Sequence, residues 1–170
     1  MLFRSPDLRT QALREALDAA RQIRDEDPRA RALAALAPHL PPHLRTQVIR
    51  EALDAARQIW DEYHRARALA ALAPGLPPDR LPDALDAARQ IRYEDHRARA
   101  LAALAPGLAG LPRAEQYALW RETLPVSAAR RRSDLLRDLG ALKDVILALG
   151  TEKALEETAR AILDVGRWWP

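Results

Sequence analysis

Residues Ala16 to Pro38 read ALDAARQIRDEDPRARALAALAP, a phrase that returns almost unchanged from Ala52 to Pro74 and again from Ala84 to Pro106. Around its first half, Leu13, Ala16, Leu17, Ala20 and Ile23 are spaced three and four apart, which puts them on one face of a helix. Arg14, Asp18, Arg21 and Asp25 fall on another side at three- and four-residue steps, as ordinary surface pairs worth about 0.3 kcal/mol each. The second half is apolar on nearly every side from Ala30 to Ala37, so it is expected to be buried all round, between helices of its own copy and the next. Asp27 reads as the cap of this second helix, Pro28 as its first residue and Pro38 as its stop.

Outward from the phrase, the copies prove unevenly spaced. Leu8 to Leu40 and Leu44 to Leu76 differ at only six positions, an offset of 36 residues, whereas the third copy follows after 32. PPHLRTQVIREALD has there become PPDRLPDALD. Four residues is close to one helical turn, so the loss shortens the helix start and leaves its apolar face in register. From Leu111 the repeat fades. Pro112 to about Leu124 reads as a further first helix, Pro125-Val126-Ser127 as its end, and Ser127 as the cap of a helix to Leu139. A last pair follows, Ala141 to Leu149 and Thr151 to about Val165, with Gly150 as stop and Thr151 as cap.

A helix pair that cannot bury its apolar side alone, repeated at a fixed period, is the mark of a repeat architecture. The fold expected is all-α: an α-solenoid of about five antiparallel helix pairs forming one domain. Residues 5–111 make three near-identical repeats, and residues 112–170 make divergent repeats and a C-terminal cap. Ser5 caps the opening helix in this reading, and Trp168 and Trp169 pack the closing end. The opening repeat has no polar N-terminal cap, so either self-association through that face or the removal of preceding repeats is expected.

Composition narrows the function classes. Cysteine is absent, which excludes disulfides and thiolate metal sites and fits a reducing cytoplasm. The start MLFRSPDL has too short an apolar run for a signal peptide, and the most apolar stretch, Ala98 to Leu111, is broken by proline and glycine, so no membrane partner is expected. Net charge is only +3 from 27 basic and 24 acidic residues, mixed at close spacing, as on a solvated face laced with ion pairs. Arg130, Arg131 and Arg132 form the one dense basic cluster and read as part of such a face. His39 and His43 are four apart, but Pro41-Pro42 between them prevents a helical metal pair. There is no glycine-rich phosphate loop and no catalytic spacing, so neither cofactor nor enzymatic activity is expected.

The copies also supply an internal comparison. Their framework is nearly constant, while differences gather at the turn: Arg24, Trp60 and Arg92; Asp25, Asp61 and Tyr93; Asp27, Tyr63 and Asp95; Pro28, His64 and His96. Repeat proteins hold packing positions fixed and vary those that touch partners, and Trp, Tyr and Arg are enriched where binding energy concentrates. A protein-recognition edge of Trp60, Tyr63, His64, Arg92, Tyr93 and His96 is therefore expected. A second row, Arg29, Arg31, Arg65, Arg67, Arg97 and Arg99, stands in the first turns of the second helices, where the helix dipole disfavours positive charge. Ion pairing to Glu26, Glu62 and Glu94 is the structural reading of that row. Six evenly spaced guanidinium groups gripping nucleic acid or another polyanion is the functional one. Asp18, Asp54 and Asp86 with Gln22, Gln58 and Gln90 read as hydrogen bonds between repeats.

ALDAARQI, RARALAALAP and the ending LLRDLGALKDVILALGTEKALEETARAILDVGRWWP together resemble the alanine- and arginine-rich helical repeats at the C-termini of large bacterial STAND-class signalling proteins, the NACHT-type and related NTPases. The resemblance implies a HEAT-like sensor or scaffold segment that works on a protein partner or on a domain of a larger protein. No Walker-type loop occurs here, so the family's nucleotide chemistry does not carry over.

Overall fold

A computed structural model of the chain describes residues 6–168, with side chains described from 8 to 164. Ser5 and Trp169, and the side chain of Trp168, lie outside the described residues. Every regular element among the described residues is helical, in the order α1 (Pro6–Gln22), α2 (Glu26–Leu36), α3 (Pro42–Gln58), α4 (Glu62–Leu72), α5 (Leu81–Arg89), α6 (Glu94–Ala109), α7 (Arg113–Ala128), α8 (Arg132–Ala141) and α9 (Lys143–Trp168), with three short 3-10 turns. Among the described residues no helix is long and apolar enough to cross a membrane.

The core follows the chain. α2 packs on α1, α3 and α4; α4 packs on α2, α3, α5 and α6; α6 packs on α4, α5, α8 and α9. Ala52, Leu53, Ala55 and Ala56 of α3 are buried, and so are the matching Ala84, Leu85, Ala87 and Ala88 of α5, so the deletion does keep the register. It shortens the helix by more than one turn, since α5 has 9 residues where α3 has 17. Pro82, which the other copies lack, accounts for most of the remainder: proline suits only the first turn of a helix, so α5 starts at Leu81, and Pro78–Arg80 form a 3-10 turn before it.

Three expectations are corrected. The second helices are not buried all round: Ala35 and Ala71 are exposed beside Arg31 and Arg67. Alanine has so little side-chain surface that leaving one stripe open costs little. Pro106 does not end α6, which continues to Ala109. In the first two copies a second proline follows, so Leu40 and Leu76 stand before Pro41 and Pro77 and take extended backbone, with ψ of 153° and 129°. Where that proline has become Ala109, Leu108 is freed from the restriction and the helix runs on. Likewise α7 passes through Pro125 to Ala128, and Ser127 caps nothing; its hydroxyl donates to the Asp138 carboxylate at 3.1 Å.

The last two helices expected are continuous in α9 but for a break at Thr151, whose φ of 66° and ψ of −174° lie in a region that a β-branched residue rarely enters. Gly150 allows the close approach there, since a Cβ on it would sit 2.4 Å from that of Ala154.

Bonds between copies fall on different residues from those expected. Arg21 of α1 donates to both carboxylate oxygens of Glu51 on α3 at 2.8 and 2.9 Å. Arg57 meets Asp83 of α5 at 3.8 Å, and Arg89 meets Glu122 of α7 at 4.0 Å. The same arginine of ALDAARQ thus reaches forward to an acid on the next first helix each time. Asp18 pairs with Arg21 of its own helix, at 3.7 Å.

Candidate interaction groove

Each pair of the three copies turns in three or four residues, and each turn is set the same way. Ile23 is half-buried, and Ile59 and Ile91 are buried, holding the end of the first helix against the core. Asp25, Asp61 and Tyr93 then take extended backbone, with ψ of 129°, 121° and 119°, and start the second helix. The Asp25 carboxylate accepts from the Asp27 N–H at 3.2 Å, and that of Asp61 from the His64 N–H at 2.9 Å. The cap is therefore Asp25 and not Asp27, two residues earlier than the sequence suggests. Pro28 is accommodated at the third helical position because the first turn needs no intrahelical N–H donors. The turn positions that vary among the copies, those of Arg24, Asp25, Asp27 and Pro28, lie in this first turn or just before it, where the ladder asks least of the side chain.

The second and third of these turns open onto one groove of about 660 Å³. Trp60, Tyr63, Arg92, Tyr93 and His96 line it, five of the six residues expected at a recognition edge. Trp60 is 91% exposed and Tyr93 69%. Tyr63, His96 and Tyr93 form a run of tilted rings, with centroids 5.4 and 5.8 Å apart. His64, the sixth, joins the run through Tyr63 at 5.3 Å, but its Nδ1 faces the Asp27 carboxylate of the preceding copy at 3.2 Å. His64 thus has a packing contact between copies, and Tyr63 with His96 repeats that contact one copy further on.

Glu62 pins the floor. Its carboxylate accepts from the backbone N–H groups of Arg92 and Tyr93 at 2.9 and 3.0 Å and from Nε of Arg92 at 3.2 Å. Burial pushes its pKa up, yet those donors outweigh burial and leave it below the ordinary value. Arg92 is anchored at Nε while its side chain stays 88% exposed. Glu94 reaches Arg137 of α8 at 3.2 Å.

The far wall was not foreseen: Arg131 and Asp134, at the start of α8, complete the lining. The signal lay in the echo of RARALAALA in RRSDLLRDL. α4 and α6 begin at this edge, and the start of α8 joins them.

The expectation of one outward row of six arginines is corrected. Arg31, Arg67 and Arg99 are exposed, but Arg29, Arg65 and Arg97 turn inward. Arg29 donates to the Ile23 and Arg24 carbonyls at 3.2 and 3.4 Å, and Arg97 to those of Ile91 and Arg92 at 3.1 and 3.0 Å. The charge that the dipole disfavours at the start of one helix is satisfied by carbonyls at the end of the helix before it. Glu26 and Glu62 add only 3.9 Å contacts to Arg29 and Arg65. Arg97 is fully buried and holds both carboxylate oxygens of Asp138, at 2.9 and 2.8 Å, which ties α6 to α8.

No family model, no curated protein and no solved structure matches the chain.

Proposed function

We propose that the chain is a non-catalytic protein–protein interaction module of the α-solenoid, HEAT-like kind, with three near-identical repeats and a divergent C-terminal cap. It serves as a sensor or scaffold segment of a cytoplasmic bacterial signalling protein. The observation that carries the reading is the convergence of variation with exposure: five of the six residues expected at the recognition edge line one open groove. Large aromatic side chains held at 91% and 69% exposure are poised to gain binding energy when covered. The polyanion alternative is weakened by the inward half of the arginine row, which leaves Arg31, Arg67 and Arg99 as separate points.

The test is a pull-down from source lysate at low and high salt, with the intact chain and a Trp60→Ala, Tyr93→Ala double variant. Protein partners that survive salt and disappear with the double variant are the expected result. Retention of nucleic acid alone, stripped by salt and indifferent to the double variant, overturns it.

A further inference from the structure

The groove differs in charge from the molecule that carries it. The chain is basic, with a net charge of +3, yet the groove is lined by four carboxylates, Asp61, Glu62, Glu94 and Asp134, against the two guanidinium groups of Arg92 and Arg131. Arg92 is already held by Glu62, and Glu94 by Arg137, which leaves Asp61 and Asp134, the latter with Oδ1 accepting from the Ser133 hydroxyl at 3.3 Å, against the one cation Arg131 in the same lining as the rings. The cap uses only Oδ1 of Asp61. Exposed Trp and Tyr faces attract cations, Arg above all, because a planar guanidinium stacks on the ring while still bonding a carboxylate in its plane. Nucleic acid or an acidic peptide would meet these carboxylates as repulsion.

We propose that this groove binds an extended basic peptide segment, whose arginine or lysine side chains lie against Trp60 and Tyr93 and end on Asp61 and Asp134. The inference rests on the interaction-module reading and names its partner class. Length follows from the packing. The groove crosses the starts of α4, α6 and α8, two interhelical steps of about 8–10 Å each, and an extended chain at about 3.3 Å per residue covers that distance in about six residues.

The test is selection of random heptapeptides displayed on phage against the intact chain, followed by fluorescence anisotropy with the winning peptide, labelled. Enrichment of Arg and Lys is expected. An Asp61→Asn, Asp134→Asn double variant should bind about tenfold more weakly, because two charge pairs are lost while Asn preserves the cap. Arg131→Glu should bind several-fold more tightly, and raising salt should weaken the intact complex. Peptides that lack basic enrichment but fail to bind the Trp60→Ala, Tyr93→Ala variant overturn the basic-segment inference and leave the groove standing. Peptides indifferent to that variant overturn both. Selection of no peptide, while the variant still loses its lysate partner, shows that the groove takes a folded surface and overturns the inference alone.

Discussion

Arg29 in the first helix pair and Arg97 in the third occupy the same letter of the same phrase, yet they live in different surroundings. The first keeps about a quarter of its side chain in solvent and bonds two carbonyls of its own turn. The second makes the same two carbonyl bonds and adds a fully buried carboxylate pair to a residue 41 positions further on. The local job of the arginine, closing the turn, is thus written into the repeat. Whether it also welds one pair to the next depends on what the neighbour presents, and only α8 presents Asp138.

The sharpest way to break the comparison is to remove both arginines in turn. Arg97→Ala leaves the Asp138 charge buried without its partner and should cost about 3–5 kcal/mol. Arg29→Ala, which loses part-exposed hydrogen bonds, should cost about 1 kcal/mol. Urea denaturation of the two variants checks both, and equal losses would mean that Asp138 adds nothing.

A second contrast lies at the ends of the second helices, where His39, Gly75 and Gly107 correspond. A Cβ at 75 would come within 2.9 Å of Ile49, and one at 107 within 3.0 Å of Leu81. The first copy has the half-buried Leu13 at the matching place and carries a histidine. Gly107→His should therefore cost about 1–3 kcal/mol by overpacking, measured by thermal melting, while His39→Gly should change little.

Thr151 offers a gain in the closing segment, where the chain departs from its repeat. Glycine adopts its backbone angles without strain, so Thr151→Gly should stabilise by about 1 kcal/mol. A loss instead would show that the threonine side chain holds the break together.

The smallest effect concerns the bonds between copies. The Arg21 hydrogen bond lowers the Glu51 pKa below its ordinary value, against the opposing effect of burial. A depressed carboxylate contributes stability above its unfolded pKa and loses it as pH falls through the folded one. Stability should therefore decline as pH drops below the ordinary glutamate value of about 4.3. In Glu51→Gln the acid-induced decline should be smaller by about 0.5–1 kcal/mol, a surface pair being screened by solvent.

Much of this was legible in the letters. Three-and-four spacing of apolar residues gave the helices of the three copies, the four-residue deletion kept its phase, and variation at the turns pointed to Trp60, Tyr63, Arg92, Tyr93 and His96. These signals are local, fixed by the geometry of a single helix and by comparing the chain with itself. Illegible were the cap at Asp25, the run of α6 past Pro106, the inward turn of Arg29, Arg65 and Arg97, and the far wall of the groove at Arg131 and Asp134. In the last two cases the partner groups come from other elements, up to 41 residues away at Asp138. A charged side chain turns in or out according to which carbonyls and carboxylates packing brings within hydrogen-bond reach, and only the tertiary structure decides that.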